Sequence, residues 1–331
     1  MRALIFTLFL FLSTSPFLQA QIYNSEEPLT HTFSIVAKDT ATGDIGVAVQ
    51  SHWFSVGSVV SWAEAGVGAV ATQSLVNASF GPRGLELLRE GLSPREALDK
   101  LLEEDPGRDF RQVAIVDVRG RVAAHTGKKC IAEAGHIEGE NFSVQANMML
   151  KDTVWPAMAK TFRNTEGLLA ERMVAALHAA QDQGGDIRGQ QSAAIIVVRG
   201  EKTGKPWVDR KIDLRVEDHP RAVDEMARVL KLHRAYEHMN RGDVAIEEGN
   251  VQKALKEYRS AMEMFPENIE MKYWTAVSLA NAEKLEQALP LFHEVFSEDE
   301  HWVELTRRIV PNGILNVDQN TLEKILSVHT N

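Results

Sequence analysis

Residues 32–51 read TFSIVAKDTATGDIGVAVQS, two apolar runs rich in β-branched residues on either side of the polar cluster DTATGD. Thr, Val and Ile suit extended backbone, and Asp, Thr and Gly together favour a reversal. The stretch therefore predicts a hairpin of strands 32–38 and 45–51. Working outward, strand-like runs follow at 56–62 and 67–73, a short Leu-rich helix at 84–89, and a helix from Ser93 to Glu104. Ser93-Pro94-Arg95-Glu96 opens that helix with a capping Ser, a Pro in the first turn and a Glu three residues on. Residues 112–118 and 121–126 form a second hairpin around Arg119-Gly120. The segment 141–147 reads as a strand, 166–182 as an amphipathic helix stopped by Gly184-Gly185, and 192–198 and 212–216 as closing strands. Strict β-α-β alternation is missing. The order predicts an α+β fold of two mostly antiparallel sheets with helices outside.

Upstream, residues 1–20 carry one cation at Arg2, an apolar run from Ala3 to Leu12 and a small residue at Ala20. That pattern predicts a cleavable secretory signal, leaving Gln21 first and a polar lead over 21–30, with the protein exported to the periplasm or secreted. The run is too short for a membrane span. With 46 acidic against 36 basic side chains the net charge is −10, and no Lys/Arg-rich patch interrupts it. This argues against nucleic acid as a partner. Cys130 is the only cysteine, which excludes an intramolecular disulfide.

From Arg221 on the pattern is helical. Ala254, Tyr258 and Ala261 recur 34 positions later as Ala288, Phe292 and Val295, the tetratricopeptide period, with Gly242 and Pro266 where such a repeat takes a small residue and a proline. The expected organisation is a first domain over 31–219, a linking helix at 220–234 and tetratricopeptide-like repeats over 235–331. Tyr273 and Trp274 adjoin on one helix, so one of them is expected to face outward, where it would form a partner-binding surface.

Several motifs resolve to structure rather than chemistry. Gly66-Val67-Gly68-Ala69-Val70-Ala71 has dinucleotide-type spacing, but β-rich sequence follows where a helix is required. His125 and His136 lack partners at metal-ligand spacing, so neither metal nor cofactor is expected. Polar residues inside or ending apolar strands are more informative. They are Gln50, Ser51 and His52; Gln73 and Asn77; Gln145 and Asn147; and Asp186, Arg188, Gln190 and Gln191 ahead of a closing strand. Such groups either line a site at the sheet edge or mark where strands leave the core.

Six blocks, TFSIVAKDTATGDIGVAVQS, GVGAVATQSLVN with GPRGLELL, RQVAIVDVRGRVAAHTG, FSVQANMML, GGDIRGQQSAAIIVV and IDLRVEDH, run in order from about Thr32 to His219. They resemble the domain-of-unknown-function 1028 family. The resemblance implies an N-terminal nucleophile (Ntn) hydrolase fold, a four-layer α-β-β-α sandwich. In that class the first residue of the first strand supplies a hydroxyl or thiol nucleophile, and its own α-amine, with a pKa near neutrality, is the base. Thr32 holds the matching position. Eleven residues, Gln21 to His31, precede it after signal removal, so a second cut between His31 and Thr32 is required. Ala146 stands where the family pattern has Gly, and His52 where Lys or Arg is usual.

Two functions remain open on the sequence. The first is an exported amide hydrolase acting on a small amide or peptide. Thr32 is its nucleophile, Asn147 or a backbone N–H its oxyanion donor, and Ser51, His52, Gln73, Asn77, Asp186, Arg188 and Gln191 line the substrate. The second is a non-catalytic envelope scaffold, possible as a homo-oligomer, that binds a protein partner through the repeats. In that reading Thr32 is only a β-branched residue opening a strand.

Overall fold

The computed structural model describes residues 29–329. The expected signal and residues 21–28 of the lead lie outside them. In chain order the elements are β1 (Leu29–Thr30), β2 (Thr32–Lys38), β3 (Ile45–Ser51), β4 (Ser61–Glu64), β5 (Gly68–Leu75), α1 (Phe80–Arg89), α2 (Pro94–Glu103), β6 (Arg111–Asp117), β7 (Val122–Thr126), β8 (Gly135–Gly139), β9 (Phe142–Ala146), α3 (Val154–Asn164), α4 (Leu169–Asp182), β10 (Ser192–Val198), α5 (Pro206–Asp209) and β11 (Arg210–Val216). The helical region follows as α6 (Ala222–Glu247), α7 (Val251–Met264), α8 (Ile269–Asn281), α9 (Leu285–Glu298), α10 (His301–Ile309) and α11 (Gln319–Ser327).

The quoted hairpin is the centre of a six-stranded antiparallel sheet, ordered β11-β10-β3-β2-β9-β8. The second sheet runs β1-β5-β6-β7, with β4 sharing the β1 edge of β5. Alternation along the strands sorts the core into layers. Phe33, Ile35 and Ala37 face α3, α4 and the first half of α6. Val36, Val47, Val49, Ala69, Ala71 and Ala114 fill the space between the sheets. Val70, Val113 and Ile115 face α1 and α2, where the Ser93 capping box forms as the sequence predicts.

The differences from the sequence reading have local causes. Residues 56–62 are not one strand: Val56–Ser58 form a 3-10 turn and β4 begins at Ser61. Strand β8 and helix α3 were not anticipated. β8 carries two glycines and no continuous apolar face, being half-buried along most of its length. The dinucleotide-like stretch is a turn followed by β5. A Cβ at Gly68 would lie 2.3 Å from the Val116 carbonyl oxygen, so close strand packing accounts for that glycine.

The boundary near residue 219 needs correction. The expected link and the first repeat helix are one continuous helix of 26 residues, α6. Its Ala222, Val223, Met226 and Leu230 complete the core beneath the six-stranded sheet, while Ala235, Met239 and Ala245 belong to the next cluster with Tyr258. In the helical region all six residues of the 34-residue correspondence are buried. A Cβ at Gly242 would meet the Tyr258 ring at 2.3 Å, which explains the small residue there. Tyr273, expected as one of two candidates for a partner surface, is fully buried. Its hydroxyl lies 3.1 Å from the Thr306 hydroxyl and its ring packs on Trp274, Phe292 and Trp302. Its place is in the helical core. Trp274 is half-buried between the two helical clusters.

Candidate active site

The chain crosses from one sheet to the other at His31. Leu29 and Thr30 pair with Leu75 and Ser74 of β5, and two residues later Thr32 pairs with Ser51 of β3. The His31–Thr32 peptide bond thus sits in the gap between the sheets, with His31 3% exposed and Thr32 fully buried. The Thr32 hydroxyl donates to the Thr30 carbonyl at 2.9 Å. The Thr32 carbonyl accepts from the Asn147 backbone N–H at 3.1 Å and from Gln73 Nε2 at 3.2 Å.

The carbonyl immediately before Thr32 is held separately. The His31 oxygen accepts from Ser51 Oγ at 2.5 Å and from Arg188 Nη2 at 3.0 Å. Arg188 reaches it from a loop opened by glycines at positive φ, Gly184, Gly185 and Gly189. The loop is tied to the segment after β9 by Leu150 N–H to Gly185 O and Ile187 N–H to Met148 O. Asp186 is buried and takes the guanidinium through both carboxylate oxygens, at 3.0 Å from Nε and 2.7 Å from Nη2. It also accepts from the backbone N–H of Arg188 and of His52. A buried carboxylate gripping the guanidinium at two points fixes the arginine in one orientation.

The His31 imidazole donates from Nδ1 to Asn147 Oδ1 at 2.8 Å. Burial pushes its pKa below the ordinary histidine value. The Asn147 bond works against that shift and the Arg188 charge adds to it. The ring is therefore neutral near pH 7. Asn147 Nδ2 donates to Gln112 Oε1 at 2.9 Å, which also accepts from Gln73 Nε2 at 2.7 Å. Gln112 Nε2 in turn donates to Thr126 Oγ1 at 2.9 Å and to the Ala146 carbonyl at 2.8 Å. Gln73 Oε1 accepts from Ser34 Oγ, and Ser34 Oγ accepts from Gln145 Nε2, both at 2.6 Å. This polar network fills one end of the space between the sheets, opposite the apolar cluster.

Of the residues singled out by sequence, Thr32, Ser51, Gln73, Asn147, Asp186 and Arg188 converge here. Asn147 is close to Thr32, but its donors are committed to Gln112 and the Thr32 carbonyl. The groups aimed at the His31 oxygen are Ser51 and Arg188 rather than Asn147. Gln73 is buried inside the network and lines no open surface. Asn77 lies apart, its side chain capping Ser79 in the turn before α1. Gln191 is directed to Asp218 and contributes only its backbone N–H, to the Ser51 carbonyl. The His52 residue is exposed at the rim, joined to Asp186 through its backbone. Gln50 pairs with Phe33 and so projects to the helical side of the sheet. His31, Ser34 and Gln112 were missed as site residues. The signal for Gln112 was available, since it shares the inward face of β6 with Ala114 and Val116.

The sequence model of a family of unknown function, DUF1028, matches residues 32–226, more than half of the chain. The chain belongs to that family. A crystal structure of protein SPO2555 from Silicibacter pomeroyi, itself assigned to DUF1028, superposes with a TM-score of 0.55 at 29% identity. The superposition covers 61% of this chain and 88% of that one. No curated protein matches the sequence.

Proposed function

We propose that the chain is an exported amide hydrolase of the Ntn type, made as a precursor and opened by cleavage between His31 and Thr32. The observation carrying this reading is the His31 carbonyl, held by a hydroxyl and a guanidinium directly before a strand-opening Thr. The family match also begins at Thr32. In the opening step the Thr32 Oγ bonds to the His31 carbonyl carbon, and charge developing on the oxygen is met by Ser51 and Arg188. The C–N bond then breaks and the hydroxyl proton ends on the freed nitrogen. Water hydrolyses the resulting ester, leaving a His31 carboxylate and a free Thr32 amine. Preorganised donors of this kind are each worth about 3–4 kcal/mol of barrier.

In the opened protein the α-amine lies beside the hydroxyl and acts as its base. Departure of His31 frees Asn147 Oδ1 to accept from that amine, and it frees Ser51 and Arg188 to hold a substrate carbonyl. The residues fit this chemistry without a metal or cofactor. The C-terminal helices, read as tetratricopeptide-like, would serve partner binding. A β-lactone electrophile tests the reading: the opened protein should gain one acyl group, mapped to Thr32 and absent in Thr32→Ala. Acylation elsewhere, or equal acylation of the variant, contradicts it.

A second reading, an unopened scaffold, draws on the saturation of the Thr32 hydroxyl and carbonyl in the closed form. It predicts that no opened species accumulates.

A further inference from the structure

The segment ahead of Thr32 marks a path that the reaction itself defines. Any acyl donor to Thr32 Oγ must place its carbonyl carbon where that of His31 lies. Residues on the acyl side of the scissile bond must then run back along the route of Thr30 and Leu29. That route is a strand: Leu29 pairs with Leu75 and Thr30 with Ser74, antiparallel. It occupies the edge of β5 opposite β6, beyond the end of β4, which pairs only as far as Ala71. Departure of the lead leaves that edge with unpaired backbone groups, a ready template for another extended chain.

The position next to the bond is also shaped. The His31 ring is enclosed and donates to Asn147 Oδ1, with the Arg188 guanidinium on its carbonyl. The ring's partner is an amide oxygen, so the position accepts a neutral hydrogen-bond donor. One residue back, Thr30 is fully buried and its Oγ1 has no hydrogen-bond partner among the described residues. That position takes a small side chain. A small amide would use only the first of these features.

Building on the hydrolase reading, we propose that the opened site takes extended peptides, whose acyl-side residues add as a strand to the Ser74–Leu75 edge of β5 and seat a neutral donor such as His against Asn147. The released lead is then a product-like competitor. In each turnover the peptide acyl group passes to Thr32 Oγ, the amine leaves with the proton, and water returns hydroxyl and carboxylate.

The test uses the chain beginning at Thr32, made with an initiator Met that is removed. The probes are the lead peptide acetyl-Glu-Pro-Leu-Thr-His and the same peptide N-methylated at Leu and Thr. The first should bind at least tenfold more tightly than the second and than acetyl-His alone. In turnover, acetyl-Pro-Leu-Thr-His-anilide should exceed acetyl-His-anilide at least tenfold in kcat/KM. Equal binding of the methylated peptide, or equal turnover of the two anilides, overturns the strand-addition site while leaving the hydrolase reading intact. Tight, methylation-sensitive binding with no turnover of either anilide overturns the hydrolase reading instead. In the full chain, Leu29→Pro with Thr30→Pro removes both backbone donors and should slow cleavage at His31–Thr32 at least tenfold. An unchanged rate contradicts the proposal even if the shortened chain fails to fold.

Discussion

Arg188 Nη2 lies 3.0 Å from the carbonyl oxygen of His31, a residue 157 positions earlier in the chain. Asp186 holds the guanidinium in place through both carboxylate oxygens. The pair joins the loop before β10 to the peptide bond that must break if Thr32 is to become an N-terminus.

Removing the guanidinium should therefore be costly in two separable ways. Arg188→Ala should slow cleavage at His31–Thr32 by roughly 10²–10³-fold through loss of an oxyanion donor. It should also destabilise the fold by about 3 kcal/mol, because the buried Asp186 is left without its cation. Arg188→Ala with Asp186→Asn should recover most of the stability and none of the rate. Mass spectrometry over time and denaturant unfolding read the two effects. Recovery of both would assign Arg188 a purely structural role.

Gln112 bridges Gln73, Asn147, Thr126 and the Ala146 carbonyl from one buried side chain. Gln112→Leu keeps the volume and strands several donors and acceptors, so a loss of about 2–4 kcal/mol is expected in denaturant unfolding. A loss below about 0.5 kcal/mol would mean the network is not needed to hold the sheets at this end.

Histidine 31 gives the unopened chain a pH signature. Burial lowers its pKa in the fold, so the unfolded chain binds the proton first as pH falls. Stability carried by neutral His31 is complete above the ordinary histidine value of 6.5 and declines as pH drops below it toward the lowered folded value. Unopened Thr32→Ala protein should lose stability as the pH falls below about 6.5 more steeply than the same variant carrying His31→Gln. His136 is shifted in the same direction by burial and remains as a common background in both. Parallel pH profiles would contradict the neutral, buried state of His31.

How far the sequence carried the reading depends on the side chain. The 32–51 hairpin, the layering and the 34-residue correspondence follow from periodicity, and each is local in sequence. Ser51 was legible as a polar residue ending an apolar strand, Arg188 as part of the polar loop entering another, and Thr32 through the family resemblance. What they face was not, because Ser51 and Arg188 meet at a carbonyl that no side-chain pattern encodes. The lead over 21–30 looked merely polar, yet Leu29 and Thr30 are a strand, since two residues are too few for a period to register. Tyr273 and Trp274 were ambiguous for a related reason: helical geometry separates adjacent residues but does not say which one is buried.

The continuity of α6 predicts where the chain can be shortened. Ending it at His219 strips Ala222, Val223, Met226 and Leu230 from the core under the six-stranded sheet. Each larger side chain contributes about 1.5–3 kcal/mol of burial. That fragment should aggregate or melt at a much lower temperature, while one ending after His233 should melt cooperatively. Equal melting of the two would show that α6 is dispensable to the sheet core.

In the helical region, Tyr273→Ala should cost about 3–5 kcal/mol, since a fully buried ring is lost. The half-buried Trp274 should cost less when changed to Ala. The reverse order in thermal or denaturant unfolding would place the wrong residue in the core.

The most direct measurement is the intact mass of the purified full chain after incubation at neutral pH, alongside Thr32→Ala. The account predicts a wild-type species beginning at Thr32 with the released lead as a separate peptide, and a variant that remains uncut. A wild-type chain that keeps His31 attached to Thr32 while hydrolysing amides, or a variant cut at the same bond, would contradict it.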